Sequence, residues 1–196
     1  QEGKRYKYNY EIDANIITGF AQAQFKYSKI DFYLAARVSQ TSYQRNGLYE
    51  NGNFPGSGET GSFGKSKNLN FSNYGIKAGG IYKISGRHLI DLNAAYLTKA
   101  PNIRNSFSNA RQNNNVVTGL ESERIQTLDV SYIFRSPTVN ARLTGFYSGF
   151  ANGTDLGFYF TEDITGFAPD QSSAFVQEVM SGIDTQHLGA ELGIEA

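Results

Sequence analysis

A glycine-rich stretch at residues 58–66 is the first place in this chain to look for chemistry, because it is similar to a phosphate-binding loop. Such a loop needs four residues between its first glycine and a Gly-Lys-Ser element, and a helix N-terminus behind it that directs backbone N–H groups at the phosphate. Gly58 stands one residue too early, Glu59 holds the required position, and no amphipathic helix follows. The stretch therefore does not predict a nucleotide site.

Nucleophilic and metal chemistry is equally unsupported by the residue types. No G-x-S-x-G elbow occurs, and neither Ser57 nor Ser62 has a histidine placed to act as its base. The chain has no cysteine and two isolated histidines, which cannot supply a zinc shell. The carboxylates that a barrel-borne enzyme would need are dispersed along the chain: Glu59, Glu121, Glu123, Asp155 and Asp163. We therefore expect no enzyme activity, no cofactor and no metal site.

Alternation of apolar and polar residues, with the period of two that is typical of strands, is the main structural signal. In the stretch that begins at Ile17, apolar residues take every second position, and Gln or Lys side chains fall mostly between them. Charged side chains fall on the other face of the strand from the aliphatic series. The same rule holds in residues 30–39, 76–84, 90–96, 127–134 and 139–147.

The connections between these stretches alternate in length, which predicts an up-and-down β-barrel. Short turns are predicted at residues 28–29, 85–87, 135–137 and 182–185, and long polar loops at 42–70, 99–124 and 149–172. Short periplasmic turns and long extracellular loops are typical of outer-membrane barrels. With a weaker strand at 174–181, the sequence predicts an all-β, antiparallel, up-and-down transmembrane barrel segment of about eight strands.

The orientation of the apolar face decides between a membrane barrel and a soluble sheet. Stretches of about 10 to 12 residues match the ~9 to 11 that a tilted strand needs to cross a bilayer. Aromatic residues near the predicted strand ends suggest interfacial girdles: Tyr6, Tyr8, Tyr10, Tyr27, Tyr43, Tyr82, Tyr96, Phe134 and Tyr147. A small barrel that holds a lipophilic ligand stays open as an alternative, supported by Phe20, Ile81, Ile133 and Phe146 on the other face.

Composition sets wider limits. Eighteen basic and eighteen acidic residues give zero formal charge, and neither sign forms a run, so nothing predicts nucleic-acid binding. A mean hydropathy of −0.44 is compatible with a barrel, because half of each strand and all of the loops are polar.

At residues 93–107 and 119–132 the chain resembles the β-barrel region of TonB-dependent outer-membrane receptors, particularly those of Bacteroidetes. In that family a strand ends in a Thr/Arg-x-x-Pro stretch followed by an aromatic residue, as at Thr98, Pro101 and Phe107. An extracellular loop then returns through a leucine-x-proline-glutamate element, where this chain has Ser122 before Glu123. Residues 139–147 and 184–192 are similar to the tyrosine-rich strand and the glycine-x-glutamate strand that follow.

The resemblance implies that residues 1–196 are part of one outer-membrane barrel domain of the 22-strand type, whose plug domain and remaining strands are absent here. It implies energised uptake of a scarce nutrient, such as a siderophore, a cofactor or a glycan, across the bacterial outer membrane. The implied partners are outer-membrane lipid, the receptor's own plug and a TonB-type energy-transducing protein. A surface lipoprotein would join them if the cargo is a glycan or a peptide.

Two groups of candidate site residues follow. Aromatic and arginine side chains in the long loops are the expected capture residues, because these types dominate binding hot spots: Tyr49, Phe54, Phe63, Arg104, Arg111 and Phe158. Charged residues on the polar strand face are expected to hold the plug or to line the transport path: Asp31, Arg37, Lys77, Lys83, Asp91, Asp129 and Arg142.

Overall fold

The computed structural model describes residues 8–161 and 174–196, which form one antiparallel sheet. The strands are β1 (Tyr10–Lys26), β2 (Ile30–Gly47), β3 (Gly64–Lys65), β4 (Leu69–Lys83), β5 (His88–Lys99), β6 (Glu123–Arg135), β7 (Asn140–Thr161) and β8 (Ala174–Glu195). Their order is β1-β2-β4-β5-β6-β7-β8, with the two-residue β3 paired to β2. The predicted all-β, up-and-down architecture is confirmed, and the sheet does not close within the described residues.

Three of the four predicted short turns are confirmed, and the fourth is wrong. Residues 182–185 lie inside β8, which pairs with β7 from Asn140↔Glu195 to Thr161↔Ala174. The pairing shifts register around Gly153, where Gly182 has a φ of +73° and Asn152 a φ of +61°. Gly and Asn adopt this left-handed conformation readily. They therefore form a β-bulge between paired strands here, where a tight turn was predicted.

The long connections are shorter than predicted because the strands continue into them. We define loop A as residues 48–68, between β2 and β4, and loop B as residues 100–122, between β5 and β6. The predicted loop at 149–172 is wrong over residues 149–161, which belong to β7, and its remainder lies outside the described residues. The predicted strand 174–181 is the first part of β8.

The register gathers the aliphatic series of neighbouring strands on one face, which we call the outer face. Leu34 pairs with Ala78, Leu92 with Val130, and Leu143 with Leu192. These side chains are not covered by a second layer: Ile17 is 75% exposed, Val38 63% and Ile76 62%. On the loop side of this apolar band the same face becomes polar, with Asn15, Gln44 and Asn70. Strands of up to 22 residues therefore extend past the roughly 9 to 11 needed to cross a bilayer.

The opposite face, which we call the inner face, carries a small hydrophobic core at its loop side. Tyr43 of β2 and Leu69 and Phe71 of β4 pack with Ala100 and Phe107 of loop B. The core therefore lies between strand ends and a loop that folds over them. The prediction that Tyr43 is a girdle residue is wrong, because its ring is buried in this core. In the described part of the chain, no helix has the length and apolar character to cross a membrane.

Phe107 is 1% exposed at the centre of this core, so Phe107→Ala should release loop B. We expect a loss of about 3 kcal/mol in the free energy that holds the loop, because removing a buried phenyl ring leaves a cavity. Limited proteolysis of the folded protein should show faster cleavage within residues 100–122. Phe63→Ala is the matched control, since Phe63 is 49% exposed in loop A. Equal cleavage of the two variants would contradict this account of the core.

Candidate functional site

The seven charged residues predicted to face the lumen all lie on the inner face, and most contact one another. Lys83 Nζ lies 2.7 Å from Asp31 Oδ2, and Arg142 Nη2 lies 3.3 Å from Asp91 Oδ2. The ammonium group of Lys77 lies 5.7 Å from the centre of the Tyr33 ring. Arg37 shares this face on β2 through its register with Phe20 of β1. The inner face is thus a cross-strand network of paired charges.

Asn93 is the centre of this network. Its Nδ2 donates to Asp91 Oδ1 at 3.2 Å and to Asp129 Oδ2 at 3.0 Å, and its Oδ1 accepts from the Tyr33 hydroxyl at 3.0 Å. Gly79 lies beneath this contact, and a Cβ there would come within 2.6 Å of the Tyr33 ring. The absence of a side chain at residue 79 therefore lets β2 and β5 join across β4.

Arg142 extends the network to β6 and β7. Its Nε and Nη2 donate to Ser131 Oγ at 3.2 and 3.0 Å, and the Ser131 and Thr144 hydroxyls lie 2.8 Å apart. Ser131 is fully buried under the guanidinium group. The seven predicted charged residues comprise three carboxylates and four cations, so their charges nearly cancel on this part of the inner face.

Arg45, at the loop end of β2, joins loops A and B into one unit. Its side chain is 1% exposed. Nε donates to Ala110 O at 2.7 Å, Nη1 donates to Ser62 O at 3.0 Å and to Asn114 Oδ1, and the guanidinium lies 5.2 Å from the centre of the Tyr10 ring. Burial lowers the pKa of Arg45, and the nearby Tyr10 partly offsets this. Arginine nevertheless stays charged in proteins, so these neutral oxygen atoms satisfy the N–H donors of a buried cation.

Asn114 completes the junction from the side of loop B. It is fully buried, its Nδ2 donates to Gly58 O at 3.0 Å and to Phe63 O at 3.3 Å, and its backbone N–H donates to Gly61 O at 2.8 Å. Loop B is also fixed to β7, because Asn105 Nδ2 donates to Thr154 O at 2.6 Å. Loop B therefore crosses the inner face from β2 to β7.

An open cleft of about 1210 Å³ lies beside this junction, between both loops and the ends of β1 and β7. Four of the six predicted capture residues line it: Tyr49, Arg104, Arg111 and Phe158. Phe54 and Phe63 do not line it, and lie elsewhere in loop A. The structure therefore brings four of the predicted side chains together, and their role in ligand capture stays a prediction.

Sequence reasoning missed several residues of this region. Tyr8 and Tyr10, predicted as girdle residues, line the cleft, and Tyr6 lies outside the described residues. Arg45 and Asn114 were not predicted to have any role. The inner-face position of Arg45 follows from the alternation in β2, but nothing in the sequence shows that loop B covers it. Within the described ranges, no group of three or more His, Asp or Glu side chains could hold a metal ion.

Comparisons with known proteins leave the family open. No protein-family model matches the chain, and no curated protein matches it. Among solved structures, the chain is similar to one described as "Copper transporter OprC", with 13% sequence identity and a TM-score of 0.48. The match covers 94% of this chain and 36% of that one, so the chain spans about a third of the length of the structure it matches.

Asn114→Ala should separate loop A from loop B. The substitution removes the Oδ1 acceptor of the buried Arg45 guanidinium and the Nδ2 donor of two loop A carbonyls, so we expect a loss of about 2 kcal/mol in the free energy that joins the loops. Hydrogen exchange followed by mass spectrometry should show faster exchange in both loops. Asn115→Ala is the matched control, because no hydrogen bond of the Asn115 side chain is seen. An effect confined to loop B would show that the junction does not couple the loops.

Proposed function

We propose that this chain is part of the β-barrel of a TonB-dependent outer-membrane receptor of the Bacteroidetes type, which takes up a scarce nutrient such as a siderophore, a cofactor or a glycan. The observation that carries the proposal is the division of the sheet into an exposed apolar outer band and a polar, charge-paired inner face. Lipid favours aliphatic side chains on one side of a barrel wall, and a water-filled lumen favours charged and amide groups on the other.

Aromatic contacts at both ends of the outer band support a bilayer around it. Tyr74 and Tyr96 stack at the loop side, with ring centres 5.9 Å apart. Phe25 and Phe32 stack near the short turns at 4.9 Å, and the His88 and Phe134 rings lie 5.2 Å apart on the same side. Amphipathic and aromatic rings prefer the headgroup region, so two such rows are expected where a barrel meets the two interfaces.

The unpaired edge strands of the sheet indicate a barrel wall with more strands than these. Within the described residues, β1 and β8 each pair along one edge only. An unpaired edge is not tolerated in hydrocarbon, because its N–H and C=O groups find no water. We infer that further strands close the wall, in a barrel of about 22 strands around a plug domain. The inner-face network would then meet the plug, on which a TonB-type protein acts from the periplasm.

A small barrel that holds a lipophilic ligand is the second candidate. Phe20, which is 83% exposed, and Ile16 lie on the inner face of β1 and favour it. Further along the sheet, however, the same face carries Lys77, Asp91 and Arg142, whose charges would have to be buried against the ligand. The receptor proposal fits these side chains better, because they would face water or a polar plug.

Leu34→Arg tests whether the outer face touches lipid. Leu34 lies in the middle of the apolar band, where an arginine would cost about 2 to 4 kcal/mol in a bilayer. We expect a large fall in the folded, outer-membrane-inserted fraction, measured by heat-modifiable migration after membrane fractionation. Gln22→Arg is the control, because Gln22 lies on the inner face of the neighbouring strand. Normal insertion of Leu34→Arg, or recovery of the unaltered protein from the soluble fraction, would refute the membrane assignment.

Arg142→Leu in the complete receptor tests contact with the plug. Arg142 is the cation that bridges Asp91 and Ser131, and its loss leaves the Asp91 carboxylate without its ion pair. We expect the plug to become more sensitive to protease while ligand capture at the loops persists. Arg87→Leu, in an exposed short turn, is the control. Unchanged plug cleavage together with lost ligand binding would show that Arg142 contacts the cargo instead.

A further inference from the structure

We propose that the cleft between loops A and B binds a small anionic molecule built on a ring, with a carboxylate, phosphate or sulfate group held by Arg104 and Arg111. This inference deepens the proposed function by naming the chemical class of the cargo, and it rests on that function for the cleft's role in uptake. The binding claim itself depends only on the side chains that line the cleft.

The charge of the cleft has one sign. Among the described residues that line it, Arg104 and Arg111 are the charged side chains, and no carboxylate is present. The remaining polar side chains are neutral and include Asn51, Asn109 and Gln112. A cleft with cations and neutral donors, and without acidic groups, attracts anions and repels cations. Arginine is well suited to this task, because its planar fork binds carboxylate and phosphate oxygens in pairs.

Among the described residues, neither guanidinium group has an acidic partner. The ion pairs of the described residues lie in the strands, at Asp31–Lys83, Glu123–Lys99 and Asp91–Arg142. The guanidinium of Arg111 lies 5.6 Å from the centre of the Tyr8 ring. A cation–π contact of this kind leaves the N–H groups at the rim of the fork free to donate to a ligand.

Both arginines are positioned by their neighbours in the chain. Arg104 precedes Asn105, which is hydrogen-bonded to Thr154 O of β7. Arg111 follows Ala110, whose carbonyl accepts from Arg45 Nε at 2.7 Å. Asn102 Oδ1 also accepts from the backbone N–H of Arg104 at 3.0 Å and fixes the start of its 3₁₀ turn, Ile103–Asn105. The cations therefore rest on a loop segment fixed at two points, which lowers the entropy lost when a ligand binds.

Aromatic side chains supply the flat apolar part of the cleft. Tyr10, Tyr49 and Phe158 line it, and the Phe158 side chain is 52% exposed. Such rings stack on aromatic systems and on the apolar faces of sugars, so they select a cyclic ligand over an extended chain. The volume of about 1210 Å³ accommodates a molecule of several rings.

The test uses the complete protein purified in detergent and isothermal titration with four probes. The anionic probes are 4-hydroxybenzoate and glucuronate, and the neutral counterparts are 4-hydroxybenzyl alcohol and glucose. We expect an anionic probe to bind at least about tenfold more tightly than its neutral counterpart, because charge-assisted hydrogen bonds are the stronger kind. Preference for the benzoate identifies an aromatic ring, and preference for the uronate identifies a sugar.

Arg104→Gln and Arg111→Gln should each weaken binding of the preferred anion by about tenfold or more. Arg87→Gln, which removes the same charge from a short turn at the other end of the sheet, should leave it unchanged. Equal binding of anionic and neutral probes, no binding of any probe, or equal effects of Arg104→Gln and Arg87→Gln would overturn the proposal. Normal insertion of Leu34→Arg would refute the membrane function and leave the anion-binding proposal standing, because anion binding in the cleft does not depend on lipid.

Discussion

The structure depends on an antiparallel pairing that keeps the two faces of the sheet apart from β1 to β8. Side chains alternate with a period of two, so a slip of one residue would move every aliphatic group of a strand to the other face. The bulge opposite Gly153 shows how the chain protects this separation. β7 has one extra residue between Phe150 and Gly153, and β8 has one extra residue at Gly182, so the two shifts cancel. The buried Thr154 and the cleft residue Phe158 therefore stay on the inner face. An irregularity in pairing is thus absorbed without exchange of the faces.

The polar inner face creates a second constraint, because a sheet with one apolar face turned outward has no conventional core. The chain forms its small core where the strands pass beyond the apolar band, with Tyr43 and Phe71 under Phe107 of loop B. Arg45 lies beside this core as a buried cation whose donors are met by Ala110, Ser62 and Asn114. Removing one partner of a buried charge costs more than an ordinary hydrogen bond, so this arrangement fixes both loops together.

The sequence predicted what depends on local periodicity and missed what depends on long-range contacts. Alternation was sufficient for six strands and three turns, because pleating imposes the same period everywhere. The prediction of a turn at 182–185 was wrong, because Gly and Asp occur in β-bulges as well as in turns. Only the pairing of β8 with β7 shows that this segment is a bulge. Tyr43 carried the same sequence signal as aromatic residues at the ends of the apolar band, such as Tyr96. Its burial depends on Phe107 of loop B, more than about 60 residues away in the chain. Residue type alone chose six candidate capture residues; Arg104, Arg111, Tyr49 and Phe158 line one cleft, Phe54 and Phe63 do not, and a capture role stays a prediction for all six.

Charge is distributed differently at the two levels of the inner face, and this difference bears on transport. In the middle of the inner face, three carboxylates and four cations nearly cancel, so that region offers little net attraction to an ion. At the loop level, Arg104 and Arg111 have no acidic partner within the described residues. An anion would therefore be attracted first at the cleft and would meet a near-neutral surface below it. In the proposed uptake function, a single attractive level above a near-neutral wall would capture such an anion without holding it strongly along its whole path.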